Sequence, residues 1–122
     1  MGNALNDDIR LAQNARKNAR VDEQDYSVGS VIKAKSGRKY TGCNIKSSEI
    51  ISAEKVALIK AISEGEQEFE YIFIIGGPKD KKTEKYLPSN ECIEFIKKFV
   101  DNDFKIYNLY SNKLEEYKLF DL

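Results

Sequence analysis

The sequence predicts an α/β fold in which helices pack on a mixed β-sheet. Two observations carry this prediction. The candidate helices and strands follow the order α-β-β-α-β-α-β-β, and residues 69–75 form a near-continuous apolar run, typical of a strand covered on both faces. A chain of 122 residues with 41% hydrophobic and 33% charged residues suits a globular protein. We therefore expect one domain over residues 1–122.

The first half of the chain predicts a helix, a β-hairpin and a second helix. A weak stripe of isoleucine and alanine indicates a helix over residues 6–20. Residues 27–34 are rich in valine and isoleucine, and the Ser36-Gly37 turn signal joins them to a returning strand over residues 39–45. Residues 52–64 contain helix formers with an apolar face, and Gly65 is well placed to end that helix.

The second half predicts a buried strand, a loop, a helix and two more strands. Gly76-Gly77-Pro78 ends the apolar strand, and the polar residues 79–87 form a loop. Pro88 begins the next helix, with Ser89 or Asn90 near its N-terminus and apolar residues at helical spacing as far as Val100. Residues 104–110 and 116–120 are the remaining strand candidates.

The composition excludes several classes of function. Twenty basic and twenty acidic residues cancel, so we expect no nucleic-acid partner and no anionic membrane surface. No apolar run approaches the roughly 20 residues that cross a bilayer. The two cysteines are typical of free thiols in a reducing compartment, which favours a cytoplasmic location. The sequence contains no histidine, which excludes a histidine ligand or general base.

Four short phrases carry the chemistry of the chain, and two of them begin predicted helices. They are Tyr26-Ser27-Val28-Gly29, Gly42-Cys43-Asn44-Ile45-Lys46, Ser52-Ala53-Glu54-Lys55 and Pro88-Ser89-Asn90-Glu91-Cys92. In this order and spacing they resemble the cytidine deaminase-like family of zinc-dependent nucleoside deaminases, which includes blasticidin-S deaminase-like proteins. The resemblance covers about residues 26–95. The family's own pattern is Cys-Ala-Glu-Arg on one helix and Pro-Cys-x-x-Cys at the start of another.

The resemblance implies a fold and a set of roles. The fold is a three-layer α/β/α arrangement with a mixed five-stranded sheet, and small members of the family assemble as dimers or tetramers. Glu54 stands at the position of the proton shuttle, and Cys92 stands at one of three zinc-ligand positions. Ser52 and Ser89 stand at the other two. The residues that correspond to the family's nucleoside pocket are Tyr26, Asn44, Lys46 and Ala53. Lys46 replaces an acidic residue that contacts the ribose in the family.

The two serines place catalysis in doubt. Zinc is held by thiolate, neutral imidazole or carboxylate, and a neutral hydroxyl replaces a thiolate poorly. Zinc lowers the pKa of its bound water from 15.7 to about 7, and losing this activation corresponds to about 11–12 kcal/mol. A glutamate that acts alone contributes only about 10²–10⁴ in rate. Metal-dependent deamination is therefore not expected of this donor set.

Three functional hypotheses remain open at this point. The first is a non-catalytic pseudo-deaminase that retains part of a nucleoside or nucleotide pocket, forms a homo-oligomer and needs no cofactor. The second is a hydrolase acting on cytidine or a related aminated heterocycle, with zinc in an atypical site. The third is metal-free chemistry with Glu54 as base and Cys92 as a nucleophile favoured by a helix N-terminus.

Purely structural roles explain the same residues equally well. Ser52 and Ser89 are good helix caps, and Glu54 is favourable near a helix N-terminus. Asn44 can satisfy a backbone group at a strand end, and Tyr26 can be a packed aromatic residue.

Overall fold

The computed structural model describes residues 2–122, with side chains described from residue 5 onward. The helices are α1 (Gly2–Arg16), α2 (Ala53–Ser63) and α3 (Asn90–Lys97). The strands are β1 (Tyr26–Ala34), β2 (Lys39–Cys43), β3 (Ile45–Lys46), β4 (Ile50–Ile51), β5 (Phe69–Pro78), β6 (Lys105–Tyr110) and β7 (Lys113–Lys118). A single 3₁₀ turn, Leu119–Asp121, follows β7.

The predicted α/β fold with a mixed five-stranded sheet is confirmed. The strand order is β2-β1-β5-β6-β7, and only the β5–β6 pair is parallel. β3 and β4 form a separate two-stranded hairpin before α2. None of the helices described in residues 2–122 has the length and apolar character needed to cross a membrane.

The helices cover both faces of the sheet, which gives the three layers that the family resemblance implies. On one face, Ile32 and Ile74 pack in a core with Leu58 of α2 and Ile96 of α3. On the other face, the smaller core consists of Val31, Phe73 and Ile75 with Ala12 of α1. Alternate residues of β1 and β5 therefore serve opposite cores, because successive side chains of a strand point to opposite faces.

The first predicted helix and the returning strand both end earlier than the sequence indicates. α1 ends at Arg16 rather than at residue 20, because Arg20 turns to pair with the β3 segment through Arg20 N to Asn44 O and Lys46 N to Arg20 O. β2 ends at Cys43 rather than at residue 45, since Ile45 pairs with Ile51 in the small hairpin.

The apolar strand runs three residues further than expected, so the prediction that Gly76-Gly77-Pro78 ends it is wrong. β5 continues to Pro78, which is opposite Tyr26 in the β1 ladder. Proline is tolerated there because β6 pairs with β5 only over residues 71–74, which leaves Pro78 with a partner on one side.

Near the C-terminus, α3 ends at Lys97, before Phe99 and Val100. The last strand lies at Lys113–Lys118 rather than at residues 116–120. It begins earlier because Ser111 and Asn112 adopt positive φ angles of 49° and 62° and close a two-residue hairpin with β6.

Candidate functional site

The N-terminus of α2 is held close to the sheet. Ser52 has extended backbone angles and caps the helix, its Oγ accepting a hydrogen bond from Lys55 N at 3.2 Å. The buried Ser30 Oγ of β1 donates to Ala53 O at 2.8 Å. A Cβ on Gly42 would lie 2.4 Å from Ala53 O, so only glycine allows β2 to approach the helix this closely. These contacts direct Glu54 toward the interior.

The N-terminus of α3 is built in the same way. Ser89 caps the helix, and its Oγ accepts a hydrogen bond from Cys92 N at 3.2 Å. Cys92 follows one turn later with 2% of its surface exposed, packed in the same core as α2. The serine caps predicted from the sequence are therefore present at both helices.

Four side chains from three segments meet between these helix ends. Ser52 Oγ and Cys92 Sγ lie 3.3 Å apart, within hydrogen-bond distance. Cys92 Sγ donates to Glu54 Oε2 at 3.5 Å, and the hydroxyl of Tyr86 donates to the same oxygen at 3.3 Å. We call these four residues the Glu54 cluster. The other carboxylate oxygen, Oε1, is buried without a hydrogen-bond partner among the described residues.

Burial sets the protonation of the Glu54 cluster. Glu54 is fully buried, and this raises its pKa to about 7, while hydrogen bonds from Cys92 and Tyr86 favour the charged form and limit the rise. Burial and the neighbouring carboxylate raise the pKa of the Cys92 thiol to about 12. The same two effects raise the pKa of Tyr86 above its ordinary value. Cys92 is therefore a thiol at neutral pH, the opposite of the reactive thiolate that a helix N-terminus favours.

The three side chains at the expected ligand positions do not fit a zinc site. Two are neutral hydroxyls that already accept backbone hydrogen bonds, so Cys92 alone among the three can supply sulfur. Zinc requires deprotonated sulfur, neutral imidazole or carboxylate ligands. Across residues 2–122, no group of three or more Cys, Asp or Glu side chains is placed to hold a metal ion.

Of the four predicted pocket residues, the structure brings only Ala53 to the Glu54 cluster and joins Asn44 to Tyr26. Ala53 adjoins the Glu54 cluster and is fully buried. Asn44 is 5% exposed, and its amide spans the beginning of β1: Oδ1 accepts from Val28 N and Nδ2 donates to Tyr26 O, both at 2.9 Å. Both ends of the Asn44 amide therefore form hydrogen bonds to the backbone, in agreement with the prediction that Asn44 satisfies backbone groups at a strand end.

Tyr26 and Lys46 make contacts outside the Glu54 cluster. Tyr26 is 37% exposed, and its hydroxyl donates to Glu84 in the loop before α3. Lys46 Nζ forms ion pairs with Asp22 at 2.8 Å and Asp25 at 3.4 Å. These pairs raise the pKa of Lys46, led by the hydrogen bond to Asp22. The two carboxylates more than neutralise the lysine, which disfavours a phosphate at this position.

Sequence reasoning missed Tyr86, which lies in the segment interpreted as a polar loop. Its backbone N donates to the buried Asn108 Oδ1 at 2.9 Å, and Glu84 N donates to Gly76 O at 2.8 Å. Asn108 is itself fixed by donating from Nδ2 to Ile74 O at 2.9 Å. The alternation of polar and apolar residues in β6 places Asn108 on the core face, and this is a sequence signal for a polar anchor beside the Tyr86 segment.

Curated relatives of the chain are cytidine deaminases. The chain is 28% identical over 102 residues to a cytidine deaminase from Sporosarcina psychrophila, covering 81% of this chain and 72% of the relative. It is 30% identical over 96 residues to a probable cytidine deaminase from Dictyostelium discoideum, covering 76% of this chain and 63% of that protein.

Solved cytidine deaminase structures share the fold at low sequence identity. The enzyme from Burkholderia pseudomallei matches with a TM-score of 0.81 at 20% identity, covering 99% of this chain and 95% of that one. The enzyme from Mycobacterium tuberculosis matches with a TM-score of 0.75 at 18% identity, covering 96% and 91%. The family model for the zinc-binding region of cytidine and deoxycytidylate deaminases matches residues 4–108. This match spans more than half of the chain and shows that the chain belongs to the cytidine and deoxycytidylate deaminase family.

Proposed function

We propose that this chain is a non-catalytic pseudo-deaminase, a single domain that retains part of a nucleoside pocket and has lost the family's zinc. The observation that carries the proposal is the state of the three ligand positions. Ser52 and Ser89 use their neutral hydroxyls as helix caps, which leaves Cys92 as the one sulfur donor among the three positions. Without an activated water, Glu54 has no nucleophile to which it can relay a proton.

The burial of Glu54 supports the same proposal. A proton shuttle must reach the reacting atoms directly or through one water. Glu54 has no exposed surface, and Tyr86 and Cys92 both donate to its Oε2. The residual function is therefore binding, with a pyrimidine nucleoside as the first ligand class to examine because the relatives are cytidine deaminases.

The alternative is an active deaminase of cytidine or a related heterocycle with zinc in an atypical site. Its support is the unpartnered Oε1 of Glu54 and its raised pKa, since a general acid and base works best with a pKa near the operating pH. The donor set argues against this alternative because only one of the three ligand positions carries sulfur.

The decisive experiment measures zinc by elemental analysis and ammonia release from cytidine on one untagged preparation. We expect far less than one zinc per chain and no ammonia above background. A zinc content of about one per chain together with ammonia release would overturn the proposal in favour of the alternative.

A Ser52→Cys/Ser89→Cys variant tests whether the ligand positions persist. Two ligands at about 2.3 Å from a tetrahedral zinc lie about 3.8 Å apart, and Ser52 Oγ already lies 3.3 Å from Cys92 Sγ. We expect this variant to bind about one zinc per chain. The matched control, Ser52→Thr/Ser89→Thr, keeps both caps without adding sulfur and should bind no more zinc than the parent.

We also propose a location in the cytoplasm, which the two free cysteines favour, and assembly of the chain into a homo-oligomer, a dimer or tetramer. The support is an apolar surface on the small hairpin before α2, where Ile45, Ile50 and Ile51 are 38%, 47% and 46% exposed. Analytical ultracentrifugation of the purified chain tests the assembly, and a monomer at micromolar concentration would contradict it.

A further inference from the structure

Glu54 can be approached from solvent only if a neighbouring side chain moves. The carboxyl group is fully buried, and its side-chain neighbours are Cys92, which is 2% exposed, and the half-buried Tyr86 and Ser52. Ser52 is held as the cap of α2, its Oγ accepting from Lys55 N at 3.2 Å. Cys92 is fixed within α3, whose N-terminus is capped by Ser89. Tyr86 is therefore the neighbour whose side chain can move to expose Glu54.

The ring of Tyr86 occupies the space between the sheet and the N-terminus of α2. A Cβ on Gly76 would be 3.5 Å from Tyr86 Cγ, which is ordinary van der Waals contact, and it would be 3.0 Å from Val28 Cγ2. The ring thus lies against β5 opposite Val28, while its hydroxyl reaches Glu54 on α2. A flat aromatic group of nucleobase size already fills the place beside the carboxyl.

We propose that Tyr86 is an internal plug: its ring takes the place that a nucleobase must occupy to contact Glu54, and a base enters only when the ring swings out. The hydroxyl mimics the ligand as well, because it donates to the carboxyl as an amine or ring N–H of a base would. The identity of the ligand rests on the proposed function, whereas the plug itself does not.

The segment that carries the plug is held from outside the Glu54 cluster. Its backbone is anchored at Tyr86 N by Asn108, and the side chain of Glu84 accepts from the hydroxyl of the exposed Tyr26. Arg16 of α1 donates to Lys81 O at 2.9 Å. Because the backbone of this segment is fixed at these points, the simplest motion that exposes Glu54 is rotation of the Tyr86 side chain.

The reactivity of Cys92 reports directly on the plug, because its thiol lies in the closed space beside Glu54. The parent for the test is Cys43→Ser, which removes the half-buried second thiol. Methyl methanethiosulfonate is added under native conditions, and modification is followed by mass spectrometry. We expect Tyr86→Ala to be modified roughly tenfold or more faster than the parent, while Tyr86→Phe, which keeps the ring, stays within about twofold of it. Equal rates in Tyr86→Ala and the parent would overturn the plug.

Loosening of the core is separated from opening of the plug by a matched control. Tyr117 is another partly buried tyrosine packed on the same core, and it makes no hydrogen bond to Glu54. Tyr117→Ala should leave the Cys92 rate at the parent value, and equal acceleration by both alanine variants would overturn the proposal. If Tyr86→Ala fails to fold, Tyr86→Leu takes its place, and an unchanged Cys92 rate in that variant has the same consequence.

Uridine binding by calorimetry separates the plug from the proposed nucleoside pocket. Affinity that rises roughly tenfold or more on Tyr86→Ala supports both. Equal affinity in parent and variant overturns the plug. Faster Cys92 modification without any uridine binding supports the plug and contradicts the nucleoside pocket.

Discussion

Replacing Asn44 with alanine tests whether this residue is structural or ligand-binding. The family resemblance places Asn44 in the nucleoside pocket, yet its amide holds Val28 N and Tyr26 O at the beginning of β1. If the backbone contacts are its main role, the variant loses stability whether or not a nucleoside is present.

The size of the loss follows from the two groups left behind. Val28 is 1% exposed, so its stranded N–H loses its hydrogen bond without access to water, which costs about 1–3 kcal/mol. Tyr26 is 37% exposed, and its carbonyl regains water at a cost of at most about 1 kcal/mol. We therefore expect Asn44→Ala to lower the free energy of unfolding by about 1–4 kcal/mol.

Urea unfolding at pH 7, followed by circular dichroism, measures this loss. The neighbouring Cys43→Ala is the matched control, because Cys43 is a half-buried residue of β2, and it should cost about 1 kcal/mol or less. An Asn44→Ala variant as stable as the wild type would refute the reasoning. If it also failed to bind uridine that the wild type binds, Asn44 would be a ligand contact.

Two further predictions concern Glu54 and Gly42. Glu54 has an ordinary pKa of 4.5 in the unfolded chain and about 7 in the folded protein, so stability falls as pH rises through this range, by about 3 kcal/mol in total. Urea unfolding between pH 5 and 8 should show this fall, and the fall should be smaller in Glu54→Gln. If the unfolding free energy of the variant and that of the wild type changed in parallel with pH, Glu54 would not be the buried group with the raised pKa. Gly42→Ala puts a Cβ 2.4 Å from Ala53 O and should cost about 2 kcal/mol or more. Gly37→Ala, at φ +96° with open space around it, should cost about 1 kcal/mol, and equal losses in thermal unfolding would contradict the close approach.

The helix N-termini could be predicted from short sequence patterns, because the contacts that define them lie within a few residues. Ser52 and Ser89 cap α2 and α3 as the sequence indicates, since a cap bonds to a backbone group only three residues away. The strand ends were less accurate, because the continuation of β5 to Pro78 depends on its pairing with Tyr26, which is remote in sequence.

The organisation of the candidate site could be predicted only where helix ends define it. Glu54 and Cys92 come together because both lie in the first turn of helices that face one core. Tyr86 lies in a segment without periodicity, and its position depends on Asn108, a residue of a strand 22 positions later. Lys46 was placed by analogy with an acidic residue, but its two aspartate partners precede it by more than 20 residues. Such long-range polar contacts leave no periodic pattern in a sequence.

If the chain is the metal-free pseudo-deaminase proposed above, serine at the ligand positions also explains how its fold persists without zinc. Zinc would join the N-termini of two helices, and its loss would leave the helix ends without that link. Here each serine hydroxyl caps its own helix, and Ser52 Oγ contacts Cys92 Sγ across the gap at 3.3 Å. A hydrogen-bonded cluster thus connects α2 and α3 directly. Because it fills the space with protein groups, the same arrangement that stabilises the helix ends also closes Glu54 to solvent.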